Sequence, residues 1–273
     1  MAREVGRLAV ITSSQNSKIK LIRALGRAKE RREEGAFVIE GVRLVEEAAT
    51  RNLGFRFALY DASLNVRGSS LVERLLARGI EVEEVSEPLM KALSDTEAPQ
   101  GILAVLELNQ APIPHSPDFV LILDQIRDPG NLGTLLRTAA AAGVQAVFLP
   151  PETTDAFAPK VVRSGMGAHF HLPIRSMKWE KIRRETEGLQ IYLADMHGQS
   201  CWQTDFRQPL ALIVGGEAEG ASDEARELAT EQVSIPMSGD TESLNAGIAG
   251  SVLMFEVVRQ RSVDSHQQTA ARP

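Results

Sequence analysis

The sequence predicts an α/β protein in two units: a small α/β sandwich, then a mostly parallel sheet covered by helices on both faces. Three observations carry this. Short apolar runs alternate with helix-like stretches through both halves of the chain. The run FVLILD (119–124) is apolar up to its final Asp124, as a strand buried on both faces requires. Between the halves, LNQAPIPHSPD (108–118) holds three prolines and no charge before Asp118. Proline at that density stiffens a linker and forbids a helix or central strand. The expected units are therefore 1–107 and 118–262, with a linker at 108–117 and a polar, frayed tail at 263–273.

In the first half, a basic helix is expected over 17–33, capped by Ser17, with Ile19, Ile22 and Leu25 turned inward. AFVIEG (36–41) reads as a strand, 42–52 as a helix and 55–60 as a strand. A helix over 69–78 and strands at 80–85 and 101–106 complete that half. The second half starts with the 119–124 strand and a helix over 131–143 stopped by Gly143. Strands follow at 145–150, 170–174 and 191–195, with a helix between the last two. ALIVGG (211–216) is a strand entering a glycine loop, and VSIPM (233–237) is the last strand. From Ser243 a helix runs to about Arg261, with Leu244, Ile248, Val252 and Phe255 at helical spacing. In such sheets, ligands bind in the loops beyond the carboxyl ends of the strands.

Composition narrows the class. The 273 residues are 43% hydrophobic and 24% charged, which excludes a disordered chain and leaves ample material for a core. A single cysteine, Cys201, excludes an internal disulfide and a multi-cysteine zinc site, and fits a reducing compartment. The opening MAREVGRLAVITSSQNSK lacks a signal-peptide hydrophobic region, and no apolar run approaches the roughly 18 residues of a membrane helix. These features point to the cytoplasm and away from membranes. The net charge of −6 argues against a uniformly basic nucleic-acid binder. Its distribution is uneven, however. Within 10–32, Lys18, Lys20, Arg23, Arg27, Lys29, Arg31 and Arg32 face one acid, Glu30. A local basic patch on a mildly acidic protein is either a solvated helix face or a localised polyanion contact.

Several chemistries are set aside by the residues themselves. A dinucleotide fingerprint in ALIVGGEAEG would need glycines at 215, 217 and 220, but position 217 is glutamate, which would repel a pyrophosphate. No Walker A sequence occurs. His169 and His171 alternate along an expected strand, but two ligands without a third read as structural. Cys201 has no base partner in view, and Ser164 in RSGMG lacks a nucleophile-elbow frame.

Three segments place polar residues just past apolar strands. They are LDQIRDPGNLGTLLRTAAAAG (123–143), LIVGGEAEG (212–220) and IPMSGDTESLNAGIAGSVLMFEVVRQR (235–261). Asp128-Pro129-Gly130-Asn131 makes a turn that starts a helix, and Asn131 and Arg137, six residues apart, are taken to face roughly one side. In this order and spacing, the segments resemble the three motifs of the SpoU/TrmH family of RNA ribose 2′-O-methyltransferases, in the SPOUT class. Residues 13–107, including REEGAFVIEGVRLVEEA (32–48), resemble the substrate-binding domain often found ahead of it. The resemblance covers nearly the whole chain.

That resemblance implies an L30e-like first domain, a SPOUT domain with a deep trefoil knot, and a homodimer with its active site at or near the subunit interface. It implies S-adenosylmethionine as cofactor, bent among loops Gly215–Gly220, Ile235–Gly239 and Ser243–Asn245 and held largely by backbone groups. Gly215, Gly216, Gly220, Ile235, Met237, Ser243, Leu244 and Asn245 would bind it. Arg137 matches the catalytic arginine. Asn131 would orient Arg137 or the ribose, Glu217 would anchor its loop or pair with the arginine, and Ser243 and Asn245 would cap the last helix and complete the pocket. No metal is implied. The RNA contacts would be Lys18, Lys20, Arg23, Arg27, Arg31 and Arg32. Ribosomal RNA is preferred as substrate because the extra N-terminal domain is typical of rRNA-directed relatives. A tRNA enzyme or an antibiotic-resistance rRNA methyltransferase is the nearest alternative. A non-catalytic RNA-binding or assembly factor would be expected to have lost Arg137, Asn131 or Glu217, and all three are present. Two departures are Ala218 in the second motif and Ala246-Gly247 after the final Asn, where Val-Ser is common.

Overall fold

A computed structural model describes residues 10–108, 111–217, 220–238 and 243–270, with side chains as far as 262. The chain divides into two units, Met1–Asn109 with Phe157–Arg163, and Gln110–Ala156 with Ser164–Pro273.

The first unit carries α1 (Ser17–Ala24), α2 (Ala28–Glu34), β1 (Ala36–Glu40), α3 (Val42–Thr50), β2 (Phe55–Tyr60), α4 (Val66–Ala77), β3 (Val82–Glu84), α5 (Glu87–Leu93) and β4 (Ile102–Glu107). The sheet order is β1-β4-β2-β3, with β4 antiparallel to both neighbours and β2 parallel to β3. The single basic helix expected over 17–33 is two helices. The chain tightens at Gly26, whose N–H bonds back to Arg23, and a glycine inside a helix costs about 1 kcal/mol. The break lets Leu25 join Ile19 and Ile22 in a core with Phe57, Leu59, Leu103 and Val105. Asn16, not Ser17, caps α1, accepting the Lys18 N–H at 2.8 Å. Helix α5 was not foreseen; its seven residues are too few to show a helical period.

The second sequence half contributes β5 (Phe119–Asp124), α6 (Pro129–Ala141), β6 (Ala146–Leu149), α7 (Pro159–Gly165), β7 (Ile174–Ser176), α8 (Trp179–Glu185), β8 (Gln190–Ser200), β9 (Leu210–Gly215), α9 (Asp223–Leu228), β10 (Glu231–Ser234) and α10 (Ala246–Ala270). The six strands run in the order β10-β8-β9-β5-β6-β7, and every described pairing is parallel. Every residue of β5 is buried, as its unbroken apolar run requires.

Three expectations in this unit are corrected. Residues 168–170 form a 3-10 turn after left-handed Gly167, and the strand begins only at Ile174, so His169 and His171 do not share a strand. The last strand ends at Ser234 instead of 237, ahead of Pro236, which has no N–H for a ladder. Helix α10 starts at Ala246 rather than Ser243 and continues to Ala270, through the stretch read as a frayed tail; residues 271–273 lie outside the described set. Its inward side is Leu253, Met254 and Val257. Ile248 and Phe255, two of the apolar residues at helical spacing, are about half exposed. Gly250 allows α10 to meet α6, since a Cβ there would lie 2.4 Å from the Leu135 side chain.

Candidate active site

The parallel sheet delivers the three motif loops to one end. β5 and β9 are neighbours in register, Asp124 opposite Gly215, so the chains leaving both strands emerge side by side. After β5, Gln125 turns the backbone with φ of 52°, and Asp128 caps α6 by accepting the Asn131 N–H at 2.8 Å. Pro129 occupies the first turn, where its missing N–H costs nothing. This sets Asn131 facing the loop after β9. That loop packs backbone on backbone: a Cβ on Gly216 would lie 2.5 Å from the Gln125 carbonyl oxygen, and one on Gly215 2.7 Å from the Ala221 nitrogen. Gly216 also bridges to Gly220, which has φ of +71°.

Asn131 at the start of α6, Glu217 after β9 and Asn245 before α10 converge. The Asn131 amide nitrogen donates to Glu217 Oε1 at 2.9 Å, and the Asn245 amide nitrogen donates to the same oxygen and to Asn131 Oδ1 at 3.0 Å. The Ala246 N–H adds a further bond to Glu217 Oε1 at 3.2 Å. The carboxylate thus sits at the first turn of α10, where negative charge is favoured. Asn245 caps that helix, its Oδ1 accepting the Ile248 N–H at 3.2 Å. Gly247 keeps the network open, because a Cβ there would lie 3.1 Å from Asn245 Oδ1 and 3.4 Å from Asn131 Oδ1. Of the two roles expected for Glu217, these bonds fit a loop anchor, and none of them is to Arg137. Ser243 is exposed and lines the cavity described next, so the capping role falls to Asn245 alone.

Beside the network lies a cavity of about 550 Å³, within the usual size for a small-molecule site. Gly215, Gly216, Gly220, Ile235, Met237, Ser243, Leu244 and Asn245 all line it. Ala218 and Gly239, also named from the sequence, lie outside the described residues. Sequence reasoning missed one wall: Ala194, Asp195, Met196 and His197 on β8. It also missed the pair of Asp195 with Arg226 at 3.0 Å. Burial pushes the Asp195 carboxyl up, but the His197 N–H and Arg226 outweigh it and hold it below the usual carboxylate range. No strand-end motif marks β8, and only the topology brings it beside β9.

Arg137 stands apart. Six residues at roughly 100° each leave it about 120° around the helix from Asn131, so the two do not share a face. Arg137 is exposed, does not line the cavity, and has no hydrogen bond or ion pair among the described residues. Helices α6 and α10 touch through Asn131 and Gly247, Leu135 and Gly250, and Thr138 and Ser251, hence side by side and parallel. Arg137 precedes a contact position on one helix; Ile248 follows one on the other, and Phe255 lies seven residues, about two turns, beyond it. In a parallel pair, both offsets point to the same exposed side.

The basic patch divides. Lys20, Arg23, Arg27 and Arg32 are exposed. Lys18 is committed to Glu81 at 2.6 Å and Glu83 at 2.7 Å; burial opposes its charge, but the two carboxylates prevail and raise its pKa. Arg31 is 3% exposed and donates to the Leu25 carbonyl at 2.7 Å, holding the break between α1 and α2. Neither of these two presents a free cation to RNA. Among the described residues, no group of His, Cys, Asp or Glu has metal-site geometry, and no helix is long and apolar enough to cross a membrane. Cys201 is buried, and burial raises its thiol to about 11. His169 is buried against the Ala156 carbonyl at 2.7 Å.

Comparison with known proteins now places this geometry. The sequence profile of the SpoU rRNA methylase family matches residues 118–255. The chain belongs to the SpoU rRNA methylase family. The profile of the MRM3-like substrate-binding domain matches residues 16–104, ahead of it. An uncharacterized tRNA/rRNA methyltransferase of Synechocystis is 36% identical over 93% of this chain and 95% of its own. The 23S rRNA (guanosine(2553)-2′-O)-methyltransferase RlmP of Bacillus subtilis is 34% identical over 90% of this chain and 98% of its own. The AdoMet-bound rRNA methyltransferase of Sinorhizobium meliloti superposes with a TM-score of 0.81, at 32% identity, over 93% of this chain and 98% of that one. SpoU membership accounts for the three-motif resemblance and for the α/β architecture around it.

Proposed function

We propose that this SpoU methylase transfers the methyl group of S-adenosylmethionine to a ribose 2′-hydroxyl of ribosomal RNA. The observation that carries the reading is the Asn131–Glu217–Asn245 network on the rim of the 550 Å³ cavity, at the carboxyl ends of β5 and β9. The cavity fits the cofactor chemically. Its walls are glycine backbone and apolar Ile235, Met237 and Leu244, with the charged pair Asp195–Arg226 at hand. When bound, the cofactor supplies a sulfonium-activated methyl group. The rest falls to the chain's own residues.

Glu217 Oε1 accepts three hydrogen bonds, so it orders Asn131 and Asn245. Asn131 Oδ1, bonded to Asn245 and close against Gly247, would orient a ribose hydroxyl. Arg137 grips the flanking phosphate and polarises the hydroxyl with its planar fork. Lys20, Arg23, Arg27 and Arg32 supply phosphate contacts from the substrate-binding domain. Ribosomal RNA is favoured because RlmP and the Sinorhizobium protein are rRNA methyltransferases and match over both domains.

The enzyme works as a homodimer through the exposed α10 row of Ile248 and Phe255, flanked by Arg137. In that assembly, Arg137 lies at the interface and acts there. Helix α10 returns from edge strand β10 to pack on α6 and β9, a path consistent with the trefoil knot of the SPOUT class. The compartment is the cytoplasm, where its RNA is found. The deciding experiment incubates the full-length protein with methyl-labelled cofactor and either ribosomal or transfer RNA, then maps 2′-O-methyl ribose. Label in one rRNA nucleotide supports the reading. Label in tRNA alone replaces the substrate, and label in neither refutes the activity.

A further inference from the structure

We propose that Asp124 is a positioning residue that clamps the glycine loop walling the cofactor cavity. The inference rests on the cofactor reading given above. Asp124 closes the apolar run of β5 and is 1% exposed. Its Oδ2 accepts the Ser222 N–H at 2.7 Å. Its register partner is Gly215. One carboxylate therefore stands beside the residue where the loop leaves β9 and holds the residue where it enters α9. Ser222 in turn caps α9, its Oγ accepting the Ala225 N–H at 3.2 Å.

The other oxygen, Oδ1, has no hydrogen-bond partner among the described residues. A buried carboxylate with one oxygen unpaired is expensive to keep, and an apolar side chain would suit the strand better. Burial pushes its pKa up, against the pull of the Ser222 bonds and with Glu224 and Glu152 adding to the rise. What the carboxylate supplies is a fixed distance between the two ends of the loop. The backbone is already crowded there, with Gly215 against Gly220 and Ala221, so loss of the clamp lets the turn open rather than close. Opening shifts the cavity wall at Gly216 and Gly220, and with it Glu217, whose bonds to Asn131 and Asn245 depend on its place in the loop.

The test uses full-length Asp124→Ala and Asp124→Asn, with calorimetric titration of S-adenosylmethionine and amide hydrogen exchange read over 212–228. In Asp124→Ala, affinity should fall about 10- to 100-fold, the scale of one lost charge-assisted bond. Exchange should rise over 216–228 and stay unchanged in β5 and β6. In Asp124→Asn the amide oxygen still accepts the Ser222 N–H, so affinity should stay within about 3-fold. Two further variants isolate the donor. Ser222 has φ of −65° and ψ of 165°, which proline tolerates, so Ser222→Pro removes the N–H while Ser222→Ala keeps it. The proline variant should reproduce Asp124→Ala, and the alanine variant should not. Unchanged exchange over 216–228 in Asp124→Ala and Ser222→Pro overturns the clamp. An Asn variant as loosened as Ala overturns the hydrogen-bond account. If wild-type protein binds no cofactor, the cofactor reading fails, and the exchange data still decide the clamp.

Discussion

Arg137 and Glu217 are both polar residues of the motifs, and their surroundings assign them opposite work. Glu217 is committed to three donors and fixes the loop relative to α10. Arg137 is committed to nothing among the described residues and points outward. Replacing Arg137 by alanine should abolish methyl transfer while cofactor affinity stays nearly intact, because the residue does not line the cavity. Arg137→Lys should also be badly impaired, since a point charge cannot engage phosphate and hydroxyl together as a planar fork does. Loss of such a contact costs about a hundredfold to a thousandfold in rate. Single-turnover methylation with labelled cofactor reads this. A lysine variant at wild-type rate sinks the fork argument, and an active alanine variant removes Arg137 from the mechanism.

Short elements decide more of this structure than their length suggests. The 3-10 turn Ala168–Phe170 buries His169 to 7% exposure, and burial lowers its pKa to about 4 despite the Ala156 carbonyl and Asp155. The unfolded chain, with an ordinary histidine near 6.5, then binds more protons than the folded one between those two values. The folded state therefore loses stability as pH falls from about 6.5 to about 4, by at most about 3 kcal/mol. Thermal melts across that window should show the wild type losing more than His169→Gln, which keeps a donor for Ala156 but does not titrate. Parallel curves would mean that His169 is already charged in the fold. Helix α5 and the Leu25–Arg27 break belong to the same scale: each is settled by which apolar side chains reach the core, not by local period.

For the whole molecule, two surfaces carry the remaining expectations. Reversing Lys20, Arg23, Arg27 and Arg32 to glutamate should weaken RNA binding and flatten its salt dependence, because fewer counterions are released. Lys18 and Arg31 are left intact, since their ion pairs and core contacts would confound the result. Cofactor affinity should not change; unaltered RNA binding would make the patch a solvated face. The second surface is the α10 row. Ile248→Glu with Phe255→Glu should convert a dimer into monomers in sedimentation and cut methyl transfer by orders of magnitude, while leaving the fold intact by circular dichroism. A fully active monomer would place Arg137 in its own subunit's site.

The sequence by itself determined most of the strands, the parallel α/β class and the loops that meet around the cavity. An apolar run as short as 119–124, closed by an aspartate, suits a strand buried on both faces, and polar residues just past such runs fall at one end of a parallel sheet. That is why all eight cofactor-site residues read from the motifs line one cavity. Only the tertiary structure decided which partners each side chain keeps. Glu217 gained its bonds because Asn131 and Asn245 come to it from positions 86 and 28 residues away in the chain. Lys18 and Arg31 left the basic patch because Glu81 and Glu83 and a carbonyl beside the core claimed them. The β8 wall and Asp195–Arg226 had no motif to announce them. Local pattern records the burial a residue needs; pairing between distant segments is a property of topology, and no window of sequence contains it.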